Sequence, residues 1–190
     1  RNMARALKPG SPLAFTYHHN DLRAYYPVAV AILDAGLACT ACLPCPAEME
    51  ASIHISGTES SVIDTVFVCR SRGTISKRQL ADTPEGVAAL VREDLTRLET
   101  GHIRLTLGDT RCIGYGHLIR LAVWHLRQGW DRSSPAAERM AEIEDWLRRF
   151  GAWQEVEKHL KDVAPARCAE RELILREDID DFGSDDEISF

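Results

Sequence analysis

A change in hydrophobic pattern near Arg70 is the feature that most constrains how this chain can fold. Before it, three short apolar segments predict β-strands, and Val62–Cys69 (VIDTVFVC), rich in β-branched residues, is the clearest of them. After it, apolar residues recur at helical spacing. Three strands followed only by helices predict an α/β fold of about three strands with a mainly α-helical annex.

Proline and glycine mark the boundaries in the first part of the chain. Lys8-Pro9-Gly10 ends a first helix, because proline cannot continue a helix and glycine supplies a turn. A short buried strand is predicted over residues 11–17. A helix then runs to about residue 35 and ends at Gly36, and a second strand is predicted over residues 37–43.

The second part of the chain contains helix-start and helix-stop signals. Thr83-Pro84 places an N-cap residue before proline at the first helical position, and Ser134-Pro135 repeats this pattern. Gly151 predicts the end of the helix that follows Ser134. Helices are also predicted over residues 108–127, despite two glycines, and over residues 153–176.

The charge of the chain is concentrated at its end. The formal net charge is -6, but residues 170–190 carry 9 acidic and 2 basic side chains, so the rest is close to neutral. The 45% hydrophobic content excludes a wholly disordered chain. No apolar run reaches the ~18 residues of a membrane span, and no secretory signal is present. We therefore expect a cytoplasmic protein without a membrane partner.

Six cysteines occur, and three of them form a C-x-x-C-x-x-C run at Cys39, Cys42 and Cys45. The run resembles part of an iron–sulfur ligand motif, but the fourth cysteine followed by proline is missing. In a regular strand Cys39 and Cys45 would share one face and Cys42 would lie on the other, which is poor geometry for a single metal. We therefore expect small apolar packing residues and no metal site.

A basic stretch without any acidic residue follows the third predicted strand. It contains Arg70, Arg72, Lys77 and Arg78. Such a cluster can contact the phosphates of a nucleic acid backbone, because only a local patch has to meet phosphate. The alternative is a solvated linker, and the sequence leaves both interpretations open.

Several segments together resemble the large prokaryotic adenine-specific DNA methylases, a group of class I S-adenosylmethionine-dependent methyltransferases. These segments are Arg5-Ala-Leu-Lys-Pro-Gly10, Phe15-Thr-Tyr-His-His19, Glu48-Met-Glu50, Asp64-Thr-Val-Phe-Val-Cys-Arg70, and Leu107-Gly108 with the helix around Tyr115. The resemblance covers roughly residues 1–128. It implies the carboxyl half of a Rossmann-like methyltransferase sheet and, in the intact enzyme, methyl transfer to an exocyclic nitrogen of a DNA base.

Two motifs of that family do not occur in this chain. One is the Gly-rich turn that holds S-adenosylmethionine, and the other is the Asp/Asn-Pro-Pro-aromatic tetrapeptide that holds the target amino group. Gly114-Tyr115-Gly116 lies in a predicted helix and follows no strand, so it is a poor cofactor loop. The resemblance thus implies that both sites belong to an N-terminal half preceding Arg1, that S-adenosylmethionine binds there, and that the present chain alone has no catalytic residue.

The resemblance also suggests substrate-binding residues. His18 and His19 follow the first predicted strand, whose carboxyl end would face the substrate cleft. Glu48, Glu50 and His54 lie in the long loop 44–61, which would overhang that cleft. For the histidines the alternative is a structural role in capping a helix or a strand end, and for the loop residues it is anchoring of the loop.

These patterns divide the chain into four regions. They are a partial methyltransferase α/β domain (1–72), a basic linker (73–82), a helical region (83–176) and an acidic, disordered tail (177–190). A non-enzymatic α/β–helical binding module is the alternative function. Such a module would have to cover the exposed edge of a three-stranded sheet, whereas a fragment would aggregate or melt without cooperativity.

Overall fold

The computed structural model describes residues 2–47, 61, 63–71 and 81–161. In chain order the elements are α1 (Asn2–Ala6), β1 (Leu13–Tyr17), a 3₁₀-helix (Leu22–Tyr25), α2 (Tyr26–Asp34), β2 (Ala38–Pro46), β3 (Ile63–Arg70), α3 (Pro84–Thr100), α4 (Leu107–Leu126), α5 (Ala136–Phe150) and α6 (Ala152–Lys161). The predicted α/β fold of three strands and a helical region is confirmed. Most of the predicted linker, the end of the last predicted helix and the acidic tail lie outside the described residues.

Three helix boundaries occur where the local sequence predicts them, whereas Ser134 does not cap α5, since Pro135 is the N-cap residue and no side chain caps the helix. Thr83 caps α3 by accepting a hydrogen bond from the Gly86 amide at 3.1 Å, and proline occupies the first turn. Gly36 after α2 has φ 70° and Gly151 after α5 has φ 100°, a conformation that favours glycine. These three boundaries therefore follow from local backbone chemistry.

The sheet has the strand order β1-β3-β2, and β3 runs antiparallel to both of its neighbours. Consequently β1 and β2 run in the same direction without pairing with each other. β1 forms an edge of the sheet, and its side chains alternate between half-buried and exposed. The prediction of a buried first strand is wrong in this respect, because an edge strand with one solvated face cannot bury every side chain.

The predicted orientation of the cysteines is also wrong. A bulge between Cys39 and Ala41 shifts the register of β2 against β3. The extra residue rotates the strand, so Cys39 and Cys42 are both buried and Cys45 is exposed. The alternation of a regular strand fails here because one residue on β2 has no opposite partner.

Helix α4 is the centre of the hydrophobic core. Its residues from Cys112 to Val123 are all buried, because it packs against β2 and β3 and also against α2, α3, α5 and α6. One hydrophobic cluster contains residues of the sheet and of the later helices. Although α4 has 20 residues, neither it nor any other helix of the described ranges is long and apolar enough to cross a membrane.

Candidate functional site

Strands β1 and β2 end on the same side of the sheet, next to the start of β3. We call this end of the strands the carboxyl edge. His18 follows β1 there, and its Nδ1 lies 3.0 Å from the carbonyl oxygen of Ile63 at the start of β3. Because a carbonyl only accepts, Nδ1 carries the proton that it donates. In the neutral ring Nε2 is therefore an acceptor. The His18 side chain is 32% exposed, and no described residue forms a hydrogen bond with its Nε2.

His19 has a different environment. It is exposed, and its Nδ1 accepts a hydrogen bond from the Asp21 amide at 2.9 Å. Asp21 in turn caps the 3₁₀-helix by accepting from the Arg23 amide at 2.9 Å. The structure thus gives His19 the role of organising a turn, which is one of the two roles that the sequence left open.

A buried thiol lies behind this histidine pair. Cys112 on α4 donates a hydrogen bond to the His19 carbonyl at 3.5 Å, and its Sγ lies 4.0 Å from His18 Nδ1. Burial raises the pKa of the Cys112 thiol. The thiol is therefore protonated near neutral pH, and it supports the backbone of the turn rather than acting as a nucleophile.

A fully buried carboxylate holds α4 against the carboxyl edge. Asp109 Oδ1 accepts hydrogen bonds from the Ser61 hydroxyl at 2.7 Å and from the Ile63 amide at 3.2 Å. Its Oδ2 accepts from the amide and the hydroxyl of Thr106 at 2.6 and 2.9 Å. Asp109 therefore connects the start of β3 to the first turn of α4, and it fixes the carbonyl of Ile63 that orients His18.

Sequence reasoning missed Asp109, although a signal was present. Thr106 and Asp109 have the spacing of a capping box, in which the two residues bond reciprocally. The signal would have located the start of α4. It could not have shown that the same carboxylate also reaches Ser61 and Ile63, which are more than 40 residues away in the chain.

The remaining predicted site residues do not join His18 in the described part of the chain. Arg70 ends β3 at the opposite edge of the sheet, where its Nη1 donates to the Gly10 carbonyl at 2.8 Å. The others lie outside the described residues; these are Glu48, Glu50, His54, Arg72, Lys77 and Arg78.

The Gly114-Tyr115-Gly116 segment does not fit S-adenosylmethionine. It lies inside α4, and both glycines are buried. A Cβ on Gly114 would be 2.0 Å from the ring of Trp153, and one on Gly116 would be 2.6 Å from Cys42 Sγ. These glycines permit close packing of the helix and leave no space for a cofactor.

A second polar cluster is buried between α3 and α4. His117 Nε2 lies 2.8 Å from Asp94 Oδ2, and the two side chains are 5% and 8% exposed. His117 Nδ1 is buried without a partner in the described ranges. Because the pair is almost completely buried and connects two helices inside the core, we assign it a structural role.

The cysteines provide a direct test of the sheet register. Burial raises the pKa of Cys42, and a hydrogen bond with Cys69 together with burial raises that of Cys39. Since the thiolate is the reactive form, a raised pKa means slower alkylation at a given pH. We expect iodoacetamide to modify the exposed Cys45 in the native protein while Cys39 and Cys42 react only after unfolding.

Peptide mapping by mass spectrometry after a short exposure measures this difference. The Cys45→Ser variant is the control, since it should lose the rapidly modified peptide of β2 and leave the rest of the strand unmodified. Equal modification of Cys42 and Cys45 in the native protein would contradict the bulge.

No group of three or more potential metal ligands occurs among the residues that the structure describes.

Comparison of the chain with family models, with curated proteins and with solved structures finds no match. The relationship to the DNA methylases therefore stays a prediction from the sequence motifs. Any function proposed for the carboxyl edge therefore rests on the geometry of the residues there.

Proposed function

We propose that this chain is the carboxyl-terminal part of a cytoplasmic, S-adenosylmethionine-dependent DNA amino-methyltransferase. On this proposal it contributes the last three strands of the catalytic sheet, one wall of the substrate cleft and a helical annex. The cofactor pocket and the catalytic tetrapeptide belong to a preceding half of the same protein. DNA is the substrate of the intact enzyme.

The strand arrangement is the observation that carries this proposal. β1 and β2 run in the same direction, and β3 lies antiparallel between them. The elements follow one another as strand, helix, strand and strand, the order that the resemblance implies for the carboxyl half of a class I methyltransferase sheet. The other edge of β1 pairs with no strand in the described ranges. That edge can accept a parallel strand from the preceding half.

The position and tautomer of His18 fit recognition of a base. His18 lies at the carboxyl end of β1, the end at which open α/β sheets bind their ligands. Its Nε2 is an acceptor, which suits the N–H of an exocyclic amino group better than a phosphate. An extruded base could therefore be oriented by His18 while its amino nitrogen receives the methyl group.

A non-enzymatic binding module is the second candidate. The observation that favours it is the shared hydrophobic cluster, in which α4 covers the inner face of the sheet and the later helices pack around α4. Such a core can support a fold that is stable by itself. This candidate predicts a monomer that melts cooperatively and methylates no DNA.

The test is methyl transfer by the complete product of the reading frame that encodes this chain. Tritiated S-adenosylmethionine and unmethylated DNA are the substrates, and the methylated base is identified after digestion. We expect incorporation into an exocyclic amino group. His18→Ala should lower kcat/KM by about tenfold, the effect of one lost orienting hydrogen bond.

His102→Asn is the matched control, because His102 is exposed in the turn after α3 and asparagine tolerates its φ of 61°. We expect it to leave kcat/KM and the melting temperature unchanged. Absence of methylation by the complete product, together with a cooperative monomeric melt of this chain, would reject the methyltransferase and favour the binding module. Unchanged methylation by His18→Ala would reject only the role of His18.

A further inference from the structure

A pocket rich in arginine and tryptophan lies at the opposite end of the strands from His18, next to the start of β2 and the end of β3. It encloses about 360 Å³ between the end of α2, the start of β2, the end of β3 and the segment after α4. We call it the Arg–Trp pocket and define it by Arg70, Arg127, Arg132, Trp124 and Trp130. Its volume lies in the range of small-molecule sites.

The lining of the Arg–Trp pocket is positively charged. Its three arginines are accompanied by no carboxylate among the lining residues that the structure describes. Arg70 donates to the Gly10 carbonyl and Arg127 donates to the Trp124 carbonyl, so neither charge is neutralised by these bonds. Three like charges on one pocket destabilise the empty protein and favour an anion.

Arg132 is the most available of these cations. It is exposed, and in the described part of the chain it has no hydrogen-bond or ion-pair partner. Its guanidinium lies over Gly36, where a Cβ would be 2.7 Å from Nη2. The missing side chain at Gly36 therefore leaves the space that the guanidinium occupies at the mouth of the pocket.

Asp34 at the end of α2 is already engaged. Asp34 pairs with Arg139 and accepts a hydrogen bond from Trp130 Nε1 at 3.0 Å. This pairing fixes the indole of Trp130 in the pocket wall. The Arg127 guanidinium lies 3.3 Å above the ring of Trp124. Guanidinium groups beside indole rings are a combination suited to phosphates and to the flat faces of bases.

We propose that the Arg–Trp pocket binds the phosphate group of a nucleotide unit, either of a free nucleotide or of a nucleic acid strand. Arg70, Arg127 and Arg132 contact the phosphate, and Trp130 provides an apolar wall for the attached nucleoside. The pocket is separate from the carboxyl edge, so this binding does not depend on the methyltransferase proposal. It would place a phosphate at the end of the sheet remote from His18.

The experiment is a titration of this chain with three probes, monitored by calorimetry. The probes are adenosine 5′-monophosphate, adenosine, and a short single-stranded oligonucleotide without terminal phosphates. We expect the monophosphate or the oligonucleotide to bind and adenosine to bind much more weakly. Arg132→Gln should weaken binding by about tenfold, since a charge-assisted hydrogen bond to phosphate is lost.

Arg148→Gln is the matched control. Arg148 is exposed on α5 and does not line the pocket, so the substitution removes the same charge at a different place. It should leave binding unchanged, and both variants should melt like the unmodified chain. Binding of the monophosphate supports a free-nucleotide site, and binding of the oligonucleotide alone supports a strand. Equal binding of adenosine, no binding of either phosphate probe, or equal binding by Arg132→Gln would overturn the proposal.

Discussion

Asp109→Ala should lower the free energy of unfolding by about 3 kcal/mol, because it removes the buried acceptor of four hydrogen bonds. The carboxylate is fully buried and accepts hydrogen bonds from Ser61, Ile63 and Thr106. The Thr106 amide before α4 would lose its acceptor, and the Ile63 amide would keep only its second hydrogen bond, to Ser61 Oγ. Urea denaturation followed by circular dichroism measures the change from the shift of the midpoint at constant m-value.

Two further variants make this prediction specific. Thr106→Ala removes only the N-cap side chain of α4 and should cost about 1 kcal/mol. Asp145→Ala is the matched control, since Asp145 is 55% exposed and forms a surface ion pair with Arg148. It should cost less than about 0.5 kcal/mol. A loss for Asp109→Ala as small as that of the control would show that Asp109 does not hold α4 to the sheet.

Gly114→Ala should destabilise the protein by about 2 kcal/mol, although alanine favours helices more than glycine. The new Cβ would be 2.0 Å from the Trp153 ring, and the overlap is with a rigid ring atom. Helix α6 would have to move away from α4, and buried contacts of Trp153 and Val156 would be lost. The melting temperature and the urea midpoint should both fall.

A double-mutant cycle isolates this contact. Trp153→Leu removes the ring that the new methyl group would meet, so Gly114→Ala should cost clearly less in the Trp153→Leu background. Gly129→Ala is the matched control, because no atom of the described residues lies within 4 Å of a Cβ at Gly129. It should be neutral or slightly stabilising. Equal costs of Gly114→Ala in both backgrounds would reject the close contact between α4 and α6.

Three helix boundaries with local signals were predicted correctly. Thr83-Pro84, Gly36 and Gly151 end or begin helices in the structure, because capping and positive φ depend on a few neighbouring residues. The burial of β1 and the faces of the cysteines on β2 were predicted wrongly. The burial of β1 depends on its position as an outer strand of the sheet. The faces of the cysteines depend on the bulge in β2.

The candidate site shows the same division. His18 was singled out because it follows a predicted strand, and the structure places it at the carboxyl edge. Its tautomer, however, depends on the Ile63 carbonyl, which is 45 residues away in the chain. The Arg–Trp pocket collects Arg70, Arg127 and Arg132 from separate segments, and no spacing in the sequence indicates that they share a wall.

By itself, the sequence determined the class and order of the elements, since apolar periodicity and the residues that break it act over a few positions. Only folding places β3 between β1 and β2 and buries every residue of α4 from Cys112 to Val123. It also decided that Asp109 reaches across to β3. Strand pairing and the satisfaction of buried polar groups bring together residues far apart in the chain, and their partners exist only once the chain has folded.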